Sequence, residues 1–150
     1  MSMWIIKFLC WINLLFFVDN LSAQPLFPQG TEKVKWNLTL TRGKMTFTGI
    51  CVVKQTEEGM VGSVVNEFGI HAFDMIGKRG RLKIKHMMPL MDKWYIQKIL
   101  QNDLRILTFA NETDLGKKRV LEISDSHILL ENKKYNIKYL FERIKQDDIP

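Results

Sequence analysis

Hydrophobic and polar residues alternate along most of the chain after residue 33, and this alternation predicts strands. The clearest run is Val34 to Thr41, where every second residue is apolar, as in a strand that buries one face. Similar runs follow at short spacing, separated by turns rich in Gly, Lys, Asn and Asp. The predicted strands are 34–41, 45–54, 60–67, 70–76, 81–87, 119–124, 127–131 and 135–144. We therefore expect a mainly β (α+β) fold, with a curved antiparallel sheet or an incomplete β-barrel of about eight strands.

One stretch, Met88 to Phe109, departs from this alternation and predicts a central helix around which the sheet packs. The apolar residues that recur at helical spacing are Ile96, Ile99, Leu100 and Leu104. Asp103 falls inside this apolar arc, although Asn and Asp favour helix caps over helix interiors. We therefore predict a helix broken at Asn102–Asp103, with residues 104–109 forming either a second short helix or a strand. One straight helix is the alternative.

The chain begins with a short positive segment and an apolar run, an order typical of a secretory signal peptide. The apolar run 8–18 contains one polar residue, Asn13. An uncleaved membrane anchor is the alternative, but the run is shorter than the roughly 20 residues of a membrane-spanning helix, which favours the signal peptide. Cys10 lies inside the run and is poorly placed for lipid attachment, so we do not expect a lipoprotein. We expect a periplasmic or envelope-associated protein after cleavage near Ala23–Gln24.

The rest of the chain predicts a single domain. The 150 residues are 46% hydrophobic and 25% charged, an ordinary globular composition. Residues 1–23 form the predicted signal peptide, 24–33 an extended lead-in, 34–145 one β-rich domain and 146–150 a tail. After cleavage one cysteine remains, Cys51, so no internal disulfide can form and the fold has to rest on its apolar core.

No residue pattern predicts a catalytic or metal site. The sequence contains no nucleophile elbow, phosphate-binding loop, dinucleotide fingerprint or zinc-protease motif. His71, His86 and His127 fall in separate predicted strands without metal-ligand spacing, and a spacing of three predicts that His71 and Asp74 point to opposite faces. Cys51 lies within a predicted strand, which favours a small buried residue over a nucleophile. We therefore predict a protein that is not an enzyme and has no metal or cofactor.

The charge pattern favours an anionic partner. The formal net charge is +6, and the densest basic stretch is 78–85, where Arg81, Lys83 and Lys85 alternate on one predicted strand face. An exported protein rarely meets nucleic acid, so we expect an anionic membrane surface or an acidic partner instead. The alternative is a solvated strand face that protects a sheet edge from pairing.

Two stretches carry a family resemblance. VVNEFGIHAFDM (64–75) and HMMPLMDKWYIQKILQNDLRIL (86–107), within the order signal peptide, strands, central helix, strands, resemble small envelope proteins of the Bacteroidota. More distantly, residues 34–144 resemble the lipoprotein carrier and receptor of the Lol system. That resemblance implies an incomplete β-barrel covered by helices, with an apolar cavity that accepts acyl chains. This chain is shorter, has less helix, and lacks the lipid-attachment cysteine of the anchored receptor.

The resemblance implies a ligand site between helix and sheet. Methionine and aromatic side chains would line it, because methionine adapts to irregular apolar ligands. The candidates are Phe47, Phe68, Phe73, Met75, Met88, Met91 and Trp94. We expect an exported, non-enzymatic binding protein that carries lipid or lipoprotein acyl chains. The alternative is a structural or interaction module of the envelope with a filled core, and an exported hydrolase is the third hypothesis.

Overall fold

A computed structural model describes residues 25–27, 32–109 and 115–145. Within these ranges the protein is mainly β, as predicted, with eight strands and one helix. The strands are β1 (Lys33–Arg42), β2 (Met45–Thr56), β3 (Gly59–Asn66), β4 (His71–Lys78), β5 (Arg81–Lys85), β6 (Arg119–Ile123), β7 (His127–Asn132) and β8 (Ile137–Arg143), and the helix is α1 (Trp94–Phe109). Each predicted strand corresponds to an observed one. No helix in the described residues is long and apolar enough to cross a membrane.

All eight strands form one antiparallel sheet in the order β5-β4-β3-β2-β1-β8-β7-β6. Two meanders, β1 to β5 and β6 to β8, are joined by the pairing of β1 with β8. In this central pairing Leu38 lies between Gly49 of β2 and Phe141 of β8. The two outer strands, β5 and β6, do not pair with each other, so the sheet is open.

The core lies on one face of the sheet, because the alternating apolar residues of the strands point to the same side. Its fully buried large side chains include Trp36, Leu38, Phe73, Met75, Ile128, Leu130, Tyr139 and Phe141. The helix α1 covers this face with its own buried residues, among them Leu100, Leu104 and Leu107. Trp36 and Phe141 meet edge to face, with ring centroids 6.3 Å apart, an arrangement that aromatic quadrupoles favour.

The helix α1 is continuous, so the predicted break at Asn102–Asp103 is wrong. Asp103 remains in the helix interior because buried side chains from the sheet satisfy its carboxylate, as described below. The predicted start at Met88 is also too early. Residues 89–91 form a turn, in which the Met91 amide donates to the Met88 carbonyl at 2.9 Å.

Part of the predicted lead-in is built into the core. Leu26 and Phe27 are buried, and the Trp36 indole donates to the Leu26 carbonyl at 3.2 Å. The Leu26 amide in turn approaches the Leu107 carbonyl of α1 at 3.4 Å. Residues 1–24 and 146–150, which carry the predicted signal peptide and tail, lie outside the described residues.

A β-bulge interrupts the pairing of β3 with β4. Val64 faces Phe73 and Val65 faces His71, so Ala72 is the extra residue on β4. The carbonyl of Ala72 accepts a hydrogen bond from the Met88 amide at 2.7 Å. The bulge thereby fixes the segment that leads from β5 to α1.

Candidate functional site

An apolar groove lies between the first half of α1, the segment before it, and the ends of β1, β2 and β8. Its volume is about 300 Å³, at the lower end of the range for ligand pockets, roughly 300–1,000 Å³. The lining residues are Leu40, Arg42, Met45, Thr46, Phe47, Met88, Leu90, Met91, Ile96, Ile99, Leu100 and Ile137. Apart from Arg42 and Thr46 they are all apolar, so the groove suits a hydrocarbon better than a polar molecule.

The groove follows from the register of the strands. The core-facing side of β1 continues past Leu38 to Leu40 and Arg42. Leu40 lies opposite Phe47 of β2, and Arg42 lies opposite Ile137 of β8. At this end the helix is replaced by the turn 89–91. Several apolar side chains there, among them Leu40, Phe47 and Met91, are consequently only partly buried, whereas Leu104 and Leu107 in the second half of α1 are buried.

The structure brings together three of the seven predicted cavity residues: Phe47, Met88 and Met91 line the groove. Phe73 and Met75 lie in the filled core, each 1% exposed. The other two point into solvent.

Phe68 is 79% exposed in the β3–β4 turn, and Trp94 is 77% exposed at the start of α1. Trp94 contacts the ring of Tyr95, at a centroid distance of 5.9 Å. Neither aromatic residue lines the groove.

Several lining residues did carry a signal in the sequence, although not as cavity residues. Ile96, Ile99 and Leu100 belong to the predicted apolar face of the helix, and Leu40 to the predicted apolar face of the first strand. Arg42 carried no such signal, because it follows the last residue of that predicted strand. Only the register with β2 and β8 places it beside the groove.

A buried polar cluster centred on Asp103 ties α1 to three strands. Its carboxylate accepts hydrogen bonds from Arg119 Nε at 2.8 Å, from Asn132 Nδ2 at 3.0 Å and from the Tyr139 hydroxyl at 2.6 Å. Asp103 is 0% exposed. Burial raises the pKa of Tyr139, and the negative charge of Asp103 raises it further. The tyrosine therefore remains a neutral donor, and the cluster is structural.

A second polar cluster lies on the solvent-facing side of β4. Asp74 accepts hydrogen bonds from His71 Nε2 and His86 Nδ1, each at 2.8 Å. The prediction that His71 and Asp74 point to opposite faces is wrong, because the bulge at Ala72 shifts the alternation by one residue. Within the described residues no group of three or more His, Cys, Asp and Glu is arranged to hold a metal ion.

The predicted basic stripe is exposed on the edge strand β5. Arg81, Lys83 and Lys85 all face solvent, and β5 pairs only with β4. Arg81 and Lys83 border a shallow depression of about 700 Å³ that Lys78 and Arg79 also line. Lys85 differs from the others, since it lies opposite the acidic Asp74.

Cys51 is fully buried in β2. Burial raises the pKa of its thiol from 9.0 to about 12. A thiol in this state is neutral at physiological pH and does not act as a nucleophile.

Comparisons with protein-family models, with curated proteins and with solved structures found no match for this chain. The resemblance to the Lol proteins therefore stays a prediction.

Proposed function

We propose that this chain is an exported, non-enzymatic binding protein whose groove holds one acyl chain of a lipid or lipoprotein. The observation that carries the proposal is the apolar lining of the groove, half-buried between α1 and the sheet. An exposed apolar concavity of this kind gains free energy when hydrocarbon displaces water from it. The volume of about 300 Å³ favours a single chain over a lipid with several chains.

The expected affinity is modest. Each methylene transferred out of water contributes about 0.8 kcal/mol, so a chain that buries about eight methylenes gains roughly 6 kcal/mol. Ordering the ligand and the side chains of the groove opposes this gain. We therefore expect dissociation constants of about a tenth of a millimolar or weaker for a simple amphiphile, in keeping with a carrier that releases its cargo.

The test uses a fluorescent acyl probe and two tryptophan variants. Ile99 lines the groove, so Ile99→Trp should fill it and abolish saturable binding. Val61 is 42% exposed on the opposite face of the sheet, so Val61→Trp should bind the probe as the wild type does. Absence of saturable binding to the wild type, together with absence of lipid in organic extracts, would support an interaction module with no small ligand.

The basic surface of β5 supports a second role, attachment to an anionic membrane. Each basic residue near such a surface contributes about 1 kcal/mol, and Arg81, Lys83 and Lys85 are all free to reach it. The triple Gln variant of these residues should bind anionic vesicles far more weakly than the wild type at low salt. A matched variant that loses Lys117, Lys118 and Lys133 instead should bind normally. If the anionic vesicles retain the β5 triple Gln variant as well as they retain the matched variant, this role for β5 is excluded.

A further inference from the structure

We propose that Arg42 makes the groove selective for single-chain amphiphiles with an anionic head group, a carboxylate or a phosphate. This inference rests on the proposed function, because it assumes that the groove holds an acyl chain. It adds the chemical class of the head group and the residue that recognises it.

Arg42 is a charged residue on an otherwise apolar surface. It is the last residue of β1, on the same side of the strand as Trp36, Leu38 and Leu40. Its cross-strand neighbours are Met45 on β2 and Ile137 on β8, both of which line the groove. No acidic residue is among the lining residues, so nothing in the groove neutralises the guanidinium.

Arg42 also differs from the basic residues whose charge is paired with a carboxylate of the protein. Arg119 binds the buried Asp103, and Lys78 forms an ion pair with Glu58 at 2.8 Å. Within residues 25–27, 32–109 and 115–145, no ion pair or side-chain hydrogen bond engages Arg42. Its planar fork of donors is available for an external anion, and this fork matches carboxylate and phosphate oxygens in a bidentate geometry.

The groove has a direction that fits such a ligand. Its inner end is at Leu100, which is 3% exposed, and its mouth is at Met45 and Leu90, which are 73% and 82% exposed. Arg42 pairs with Met45 and therefore lies at the mouth. A hydrocarbon tail can extend inward toward Leu100, while a head group stays at the water boundary beside the guanidinium. There the charge pair avoids the full cost of burial.

The test compares three ligands with the same tail: dodecanoate, dodecyl phosphate and dodecanol, each below its aggregation concentration. Displacement of a fluorescent acyl probe gives their affinities for the wild type, Arg42→Gln and Lys44→Gln. Lys44 is an exposed cation in the adjacent turn that does not line the groove, so its variant is the matched control for the loss of one charge.

We expect the wild type and Lys44→Gln to prefer at least one anion over dodecanol by about tenfold or more, the effect of a charge-assisted hydrogen bond. In Arg42→Gln the preference for the anion over dodecanol should fall to about twofold or less. The better of the two anions identifies the head group as carboxylate or phosphate. The preference should also shrink at high salt, because the guanidinium is exposed.

Two results would overturn the inference: equal affinity of the wild type for dodecanol and both anions, or an undiminished preference in Arg42→Gln. In either case, the proposed function would stand if the wild type binds all three ligands and Ile99→Trp abolishes that binding. Failure of the wild type to bind any of the three ligands would instead remove the proposed function together with this inference. Far-UV circular dichroism of each variant confirms that it is folded.

Discussion

Asp103 is fully buried within α1, yet its charge is matched by partners from three strands. Arg119 of β6 supplies the positive charge, and Asn132 of β7 and Tyr139 of β8 donate further hydrogen bonds. Among the described residues no buried side-chain nitrogen or oxygen lacks a hydrogen-bond partner. A satisfied buried cluster of this kind fixes the position of a helix on a sheet more specifically than apolar contacts do.

Removal of the Asp103 carboxylate should therefore destabilise the fold strongly. We expect Asp103→Ala to lower the free energy of unfolding by about 3–5 kcal/mol, because it removes the shared acceptor of two buried donors and of the partly buried cation Arg119. Tyr139→Phe removes one donor and should cost about 1.5–3 kcal/mol. Urea denaturation measures both values. Tyr135→Phe is the control, and this exposed tyrosine should change stability by less than about 0.5 kcal/mol. A Tyr139→Phe variant as stable as the control would contradict the structural role of the cluster.

The burial of Cys51 leads to a second prediction at the residue scale. In a chain with Cys10→Ser, a thiol reagent should not modify Cys51 under native conditions and should modify it promptly in denaturant, since burial raises the thiol pKa to about 12. Added in the same chain, Ser126→Cys places a cysteine at an exposed position of the β6–β7 turn, and it should react at once without denaturant. Prompt modification of Cys51 in the native protein would contradict the buried position.

For some single residues, the sequence pattern does not predict the position in the fold. The break predicted at Asp103 rests on a general preference of Asp for caps, but the partners that overrule it lie 16, 29 and 36 residues away. The same holds for Arg42, whose position beside the groove depends on pairing with β8. Such contacts depend on the tertiary fold, and local spacing does not encode them.

At the scale of elements, the segment between β5 and α1 forms one wall of the groove and is held at two points. His86, at its start, donates to the Asp74 carboxylate, and the Met88 amide donates to the bulge carbonyl of Ala72. Met88, Leu90 and Met91 of this segment all line the groove. The geometry of the candidate site thus depends on a bulge and on a cluster on the opposite face of β4.

The Asp74 cluster makes this segment sensitive to acid. Burial alone would raise the pKa of Asp74, but hydrogen bonds with His71, His86 and Ser63 outweigh it and lower the pKa below its ordinary value of 3.8. A lowered pKa contributes stability that is fully present above the ordinary value and is lost as the pH falls through the folded-state value.

We therefore expect the thermal midpoint of Asp74→Asn to lie below that of the wild type at neutral and mildly acidic pH. The difference should shrink below about pH 4, where the wild-type carboxylate becomes protonated. Thermal denaturation across this pH range is the measurement. Asp125→Asn, an exposed change in the β6–β7 turn, is the control and should show no such difference. If the thermal midpoints of the wild type and Asp74→Asn still differ as much at the lowest pH, the role of Asp74 is refuted.

The elements themselves were largely predictable, since each strand buries one face and polar turns separate the strands. The alternation identifies all eight strands. The helical spacing identifies four residues of α1 that pack against the core, Ile96, Ile99, Leu100 and Leu104, but not the buried Ile106 and Leu107. The bulge at Ala72 was not predictable, because its sequence continues the strand pattern without a glycine. This one inserted residue reverses the relation of His71 to Asp74 and creates the cluster that the sequence did not indicate.

At the scale of the whole molecule, the sheet depends on the pairing of its first and last strands. Trp36 to Arg42 of β1 pair with Ile137 to Arg143 of β8, in the middle of the strand order. Without β8, β1 would present unpaired backbone groups and uncover the apolar side chains of the core beside them.

A chain that ends after residue 132 should therefore fail to fold, although it retains seven of the eight strands and all of α1. It also lacks Tyr139, a partner of Asp103. We expect a loss of ordered secondary structure by circular dichroism and aggregation in size-exclusion chromatography. The control chain ends after residue 145, keeps β8, and should remain a folded species. A stable, folded product from the shorter chain would show that the two meanders are independent.

The pairing of β1 with β8 also has a consequence for biosynthesis. Leu38 and Phe141 face each other. A ribosome adds about 5–20 residues per second, so it makes Leu38 several seconds before Phe141. Until β8 is made, one edge of β1 has no partner, and Asp103 of the helix lacks Tyr139, one of its hydrogen-bond donors. Completion of the sheet must wait until translation is nearly finished. Until β8 has been made, the nascent chain exposes an unpaired strand edge, which is the kind of surface that promotes aggregation.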